Sequence, residues 1–416
     1  MRRPLLALFL LLVGSHVHAQ IVTVNGQVRH RSEYDDKGLT ETGDADLFHL
    51  LRTRLGVTAR PSEHVSAFVQ IQDARKFGEE GDLQTVSTLD GSADQLDFHQ
   101  AYLGVDIPGI DGLSARVGRQ ELAYGKERLV GSIGWSNVGQ TFDGAVLKLD
   151  HSRGAADLFA MQLRAPDDVP GSQNLFGLYT SWAIGEDHAV DVFALLDNVT
   201  LEITAGPDAG SDVLTRFTPG LRAHGSADAF DYALEGIYQT GNRQTIIGNP
   251  LTPISAYLLA AEAGYSTGAT RIGAGYTLLS GDDNPADDTI HNFSTLFATN
   301  HKFYGFMDYF PRFSTPDGLH DVSLSVTSAI SRSLRVRVEG HHFASTAEGA
   351  TGRSLSFGQE VDLVLSYDGQ FGRGSLALNG FQLSGGASVF FRGGRLEQDL
   401  ATDPTWWLFL TSQVSF

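Results

Sequence analysis

Arg29 and Arg31, Arg52 and Arg54, and Arg335 and Arg337 form three pairs of arginines, each pair separated by a single residue. That spacing puts both guanidinium groups on one face of a β-strand, because successive side chains alternate sides. A guanidinium stays charged in any physiological medium and grips a carboxylate through two parallel hydrogen bonds. A wall carrying several such pairs would therefore attract anions. In LRVRVEGHHF (334–343), Leu334, Val336 and Val338 take one phase, while Arg335, Arg337, Glu339 and His341 take the other. A soluble sandwich would turn that polar face to water, so the rest of the chain decides what the pattern means.

The alternation recurs from Gln20 onward, with no sustained helical period. Leu51, Thr53, Leu55 and Val57 oppose Arg52, Arg54 and Thr58; Phe217 and Leu221 oppose Arg216 and Arg222; Val361, Leu363 and Leu365 oppose Glu360, Asp362 and Ser366. Eight short turn-like stretches, from RPSE (60–63) to DGQFGRG (368–374), alternate with nine longer polar segments, near 34–46, 75–94, 124–140, 165–174, 197–212, 241–253, 281–318, 345–355 and 385–404. The connections imply about eighteen strands, with short turns at one end and long loops at the other, the pattern of an outer-membrane barrel. The chain closes on TWWLFLTSQVSF, where Trp406, Leu408, Leu410, Val414 and the terminal Phe416 share one face. A final strand of this kind is what the barrel-assembly machinery recognises, which makes that machinery an expected partner through Phe416.

The first residues read MRRPLLALFLLLVGSHVHA: a basic start, an apolar run and the small-residue site Val17-His18-Ala19. This is a secretory signal over 1–19, leaving 20–416 as the barrel. No later stretch approaches the roughly 20 apolar residues of a spanning helix. The sequence has 47 glycines, 25 phenylalanines, three methionines and no cysteine, so no disulfide or thiolate metal site is available. A net charge of −19 excludes nucleic acid as a partner, because the phosphates would be repelled. No cofactor motif is present. His341 and His342 point to opposite faces, so the pair is not a chelate, and the acidic run GDDNPADD (281–288), broken by Pro285, lacks the spacing of a calcium loop and reads first as a solvated loop, with calcium binding left open.

In hydrocarbon all backbone groups must pair internally, so strands span only as a closed barrel, apolar phase to lipid and polar phase to the lumen. An arginine turned outward at mid-bilayer would cost roughly 2–4 kcal/mol, which fixes the register. The inward phase then carries Arg29, Arg31, Arg52, Arg54, Arg116, Arg216, Arg222, Arg271, Arg335 and Arg337, with the acids Asp191, Asp231, Glu235, Glu262, Asp321, Glu339, Glu360 and Asp362 among them. The lumen leans basic in an acidic chain, so acid must concentrate elsewhere, as in GEEGD (78–82) and in 281–288. Of the 30 basic residues 25 are arginine, which suits a path for anions; the competing use is bracing of the wall by arginine–acid pairs. A barrel this wide holds an aqueous channel unless loops fold in. The segment from Ser280 to Gly318 is the candidate constriction; its tract FYGFMDYF (303–310) either enters the barrel mouth or packs on itself.

The stretch from Val117 to Gly144 resembles the alginate export family of outer-membrane channels, in GRQEL (118–122), YG (124–125), Arg128-Leu129, Trp135-Ser136-Asn137 and TFDG (141–144). NHKFYGFMDYF (300–310), GQEVDL (358–363) and Arg52-Thr53-Arg54-Leu55 resemble family segments as well, so the resemblance runs from about residue 20 to the end. It implies an eighteen-stranded barrel passing an anionic polyuronate without energy input, through an arginine-rich constriction. It also implies motif roles for Arg119, Arg128 and Asp143, and for Glu360 and Asp362. Arg119 and Asp143 share the phase of lipid-facing Val117 and Ala145, so to face the lumen they need a β-bulge near Gly118 or a place above the hydrocarbon.

The expectation is a passive, non-enzymatic outer-membrane channel for anionic solutes, with alginate-type uronate polymers or oligomers foremost. A general or small-organic-anion porin is the alternative; an outer-membrane hydrolase or an adhesin stands further off. Expected partners are anionic saccharides or other organic anions and the lipid of a Gram-negative-type outer membrane.

Overall fold

The computed structural model describes residues 21–38, 45–77, 94–164, 171–203, 210–244, 251–284, 287–347, 354–371, 378–397, 399–400 and 404–416. The signal reading of 1–19 and the acidic stretch 78–82 lie outside the described residues. The strands are β1 (Ile21–Asp36), β2 (Asp46–Arg60), β3 (Val65–Lys76), β4 (Asp94–Asp106), β5 (Leu113–Gln120), β6 (Phe142–His151), β7 (Gly154–Arg164), β8 (Gly171–Ile184) and β9 (His188–Ile203). They continue as β10 (Gly210–Ala227), β11 (Phe230–Gln244), β12 (Thr252–Thr267), β13 (Thr270–Leu279), β14 (Leu319–Ala329), β15 (Leu334–Ala344), β16 (Ser356–Phe371), β17 (Leu378–Arg392) and β18 (Thr405–Ser415).

All neighbours pair antiparallel in chain order in one 18-stranded sheet, and β1 pairs with both β2 and β18. The sheet is therefore closed and has no free edge, which satisfies every strand in lipid. Closure is completed at the last residue, where Phe416 exchanges backbone hydrogen bonds with Gly26 at 2.8 and 3.0 Å. Val338, Val361, Leu363, Leu365, Leu408 and Leu410 are exposed on the outer face, as the alternation requires.

Strands run from 8 residues in β5 to 18 in β10, and several exceed the 9–11 needed to cross a bilayer. Two segments read as long loops are accordingly shorter: β9 and β10 leave only 204–209 between them, and β17 continues to Arg392, so the last loop is 393–404. Polar composition above the membrane hides strand from sequence reading, because there neither phase needs to be apolar.

The interior is far from empty. A cluster of buried apolar side chains lies within the barrel, built from the wall residues Phe159, Phe193, Leu258, Phe343, Phe357 and Phe390 and from the loop residues Leu122, Leu129, Tyr304, Met307, Tyr309 and Phe310. Two connections thus fold inward: 121–141, between β5 and β6, and 280–318, between β13 and β14. The tract 303–310 enters the barrel and does not pack on itself alone. Phe310 meets Phe343 with ring centroids 4.3 Å apart and Phe357 at 5.3 Å. The Tyr309 hydroxyl donates to the carbonyl of Lys37 at 2.9 Å. Gly305 has φ +77°, and a Cβ there would lie 2.5 Å from Glu360 Oε1, so only glycine lets the loop approach that acid.

Candidate functional site

The two infolded loops define the site. Loop 121–141 is strapped to β1 and β2 by arginines, and to β3 by Gln72, that donate to its backbone carbonyls. Arg29 reaches Gly134 O at 2.9 Å and Ser136 O at 2.8 Å, Arg52 reaches Ser136 O at 2.9 Å, and Arg54 reaches Val138 O at 3.3 Å. Arg31 donates to Trp135 O, and its guanidinium lies 4.3 Å from the centre of that indole. A loop buried inside a barrel must find partners for its carbonyls, and charged donors on the wall provide them.

Glu121, at the start of this loop, meets His99 at 2.7 Å and Arg54 at 3.2 Å. Burial works against its charge, yet hydrogen bonding to His99 and attraction to Arg54 hold its carboxyl below the ordinary range. The clamp is therefore intact above the ordinary carboxylate pKa and is lost as pH falls through the lowered one. Channel noise in bilayers should hold steady through the ordinary carboxylate range and rise only at more acidic pH. Glu121→Gln should remove that acid-dependent step; noise that rises with acid equally in both proteins would sink the assignment.

The loops also hold each other. Gly131 N–H donates to Phe297 O at 2.9 Å, Phe297 N–H donates to Leu129 O at 2.8 Å, and Lys302 pairs with Glu127. Trp135 stacks on His301 at 4.3 Å, and His301 on Phe306 at 5.2 Å. Arg128, deeply buried, bridges Glu235 at 3.0 Å and Glu262 at 2.8 Å and lies 4.0 Å from the centre of Phe303.

What remains open lies beside the loops. Two adjoining cavities, of about 580 and 420 Å³, share Trp135, His301, Lys302 and Ser384, and the first is also lined by Lys126, Phe306 and Arg337. The charges there differ in exposure. Lys302 is 49% exposed while its partner Glu127 is 14%, and Arg337 is 42% exposed while Glu339 is 11%. Glu127 and Glu262 also line the cavities, but of the pairs with Glu127 and Glu339 the cations are the more open partners.

The other residues singled out from sequence fall into three groups. Arg216 pairs with Asp197 at 2.8 Å and Arg222 with Asp191 at 2.8 Å across the neighbouring strands β10 and β9, and Arg271 of β13 reaches over β12 to Asp231 of β11, which braces the wall. Arg116 lies 5.5 Å from the ring centre of Tyr102, and Arg335 is exposed at the turn end of β15. Glu360 is fully buried and accepts the N–H of Met307 at 2.8 Å; Asp362 accepts the hydroxyl of Ser388 at 2.5 Å. These acids anchor the second loop and its wall.

Arg119 and Asp143 lie elsewhere than the lumen position expected of them. The register of β4, β5 and β6 runs without a bulge through Gly118, so both residues keep the outward phase of Val117 and Ala145. They pair with each other at 2.7 Å, with Asp97 at 3.5 Å from Arg119, at the loop end of β5. Mutual neutralisation at that end is what a charged pair facing outward requires.

Sequence reading missed Lys126 and Glu127, and it placed Trp135, His301, Lys302 and Phe306 only within family-like segments or the constriction tract, with no role of their own. Alternation finds only strand residues, and these sit on loops. The available signal was Leu122, Leu129 and Val130 inside a segment otherwise read as solvated.

A closed 18-strand barrel with loops folded into its lumen is an outer-membrane channel. The alginate export family matches residues 20–399, so the chain belongs to that family. No curated protein is significantly similar to it in sequence. Its barrel is similar to the crystal structure of Acinetobacter baumannii OccAB2, with TM-score 0.63 and 12% identity, covering 95% of this chain and 98% of that one. Pseudomonas aeruginosa OpdO gives TM-score 0.61 and 12% identity over 95% and 97% of the two chains. Pseudomonas aeruginosa OpdK with vanillate gives 0.58 and 11% over 94% and 98%. At these identities the shared property is the fold.

Proposed function

We propose that this channel passes anionic organic solutes down their gradient, with uronate oligosaccharides of the alginate type as the foremost substrates. One observation carries the reading: Lys302 and Arg337 face the cavity more openly than the acids that neutralise them, Glu127 on the first loop and Glu339 on the wall. Positive charge at a narrow, low-dielectric passage concentrates anions. Those acids keep the site from holding its solute too tightly, because a channel needs binding weak enough for release. Membership of the alginate export family supports uronates within that class.

A second reading, a channel for small organic anions, is favoured by the extent to which the two loops fill the barrel beside the cavities of about 580 and 420 Å³. The similar fold of OpdK with vanillate, a small aromatic carboxylate, points the same way. The two readings separate by solute length. In a planar bilayer, mannuronate oligomers of increasing length are added to one side of the full-length channel. Blockade that lengthens with each added unit supports oligosaccharide passage. Blockade by the monomer alone leaves the small-anion reading, and no blockade by any of them contradicts both.

A further inference from the structure

We infer that a recess in the wall between β12 and β15 is a subsite for a hydroxylated carboxylate, in which Arg337 and Lys302 take the carboxylate while Ser323 and Ser325 bond the hydroxyls. The inference rests on the anion reading of the pore and names what that pore distinguishes among anions.

The recess, of about 90 Å³, opens into the larger cavity, with which it shares Glu262, Lys302, Phe303 and Arg337. It exists because the wall is built of small residues. Gly275 faces Ser323 across the β13–β14 ladder, and Gly273 faces Ser325. A Cβ at 275 would lie 2.6 Å from Ser323 Oγ, and one at 273 would lie 2.8 Å from Ser325 Oγ. Any other residue at those positions would fill the space that the hydroxyls face.

The polar groups of the recess divide into spent and unspent. The Glu262 carboxylate is taken by Lys126 and Arg128, Asp321 by His341 at 2.8 Å, and Glu339 by Arg337. The Ser323 and Ser325 hydroxyls, in contrast, have no hydrogen-bond partner among the described residues. Arg337 uses Nη2 on Glu339 and has its Nε buried, while its Nη1 has no hydrogen-bond partner among the described residues. Lys302 pairs with Glu127 through one of its three N–H groups and, 49% exposed, lines both the recess and the larger cavity. Two free hydroxyls on one strand, with unspent cationic donors beside them, match a carboxylate that carries neighbouring hydroxyl groups. The recess holds one polar edge of such a molecule, and the rest stays in the cavity.

The test compares two anions of equal charge and ring size, glucuronate and cyclohexanecarboxylate, which differ in hydroxyl content. Blockade dwell times are read from single full-length channels. Glucuronate should dwell roughly fivefold longer, about the effect of one net hydrogen bond. Ser323→Ala with Ser325→Ala should bring it down to the cyclohexanecarboxylate value, and Arg337→Gln should shorten both dwell times together. If Arg337→Gln yields no channels, Lys302→Gln reads the carboxylate half in its place. Equal dwell times in the wild type, or a difference that survives the serine double variant, would overturn the subsite. The zero-current potential, taken in the same bilayers, reports the anion reading separately. A cation-preferring potential combined with a serine-dependent dwell of uncharged glucose would overturn that reading and the carboxylate half, and leave the hydroxyl half supported.

Discussion

Phe310→Ala should raise single-channel conductance several-fold and make it noisy. Phe310 is a buried ring of the second infolded loop and faces Phe343, Phe357 and Phe390 of the wall, at centroid distances of 4.3, 5.3 and 6.4 Å. Truncating a buried phenylalanine costs about 3–5 kcal/mol, of the order of what holds a loop of this size in place. The remaining anchors of that part of the loop are few: Glu360 on Met307 N–H, and Tyr309 on Lys37 and Thr405. The barrel does not depend on them, because its strands close on each other through β1 and β18. The heat-modifiable gel mobility of the variant should therefore match the wild type while its conductance rises. Unchanged, quiet conductance would mean that the loop does not set the width of the pore.

Exchanging the two exposed lumen cations for acids, Lys302→Glu with Arg337→Glu, should reverse the sign of the zero-current potential in a potassium chloride gradient. Each substitution replaces a positive charge facing the opening by a negative one and strips the paired acid, Glu127 or Glu339, of its partner. The local balance shifts by four charges in a space where each interaction is worth on the order of 1–4 kcal/mol at contact distance. The effect should shrink with salt, because the Debye length falls from about 10 Å at 0.1 M to about 3 Å at 1 M. The same exchange at Arg216 and Arg222, whose partners Asp197 and Asp191 hold them to the wall, should change the potential far less and the stability of the barrel more. A potential that moved equally for both pairs would contradict the assignment of separate roles.

The barrel was legible in the sequence because lipid enforces a two-residue period. Val336 and Val338 on one side, with Arg335, Arg337 and Glu339 on the other, allow a single register in a membrane. The same rule located the wall arginines but not their use. Arg29, Arg31, Arg52 and Arg54 read as a path for anions, and in the fold each is engaged by loop 121–141. Alternation tells which way a side chain points and nothing of what fills the space it points into. The constriction was half legible. FYGFMDYF is too apolar for a solvated loop and marked itself, whereas loop 121–141 spreads its buried residues, Leu122, Leu129 and Val130, among glycines and charges. Arg119 and Asp143 show the opposite case, where family motif positions suggested the lumen and the simple phase rule, followed without a bulge, gives their outward place.

The zero-current potential of the wild-type channel in a tenfold potassium chloride gradient at low ionic strength bears most directly on the central claim. Cations that line the opening, with their acids less exposed, predict a potential of the sign set by chloride passing faster than potassium, fading as salt is raised. A potential set by potassium would contradict the account, because the exposed Lys302 and Arg337 would then not be the charges that a passing ion meets.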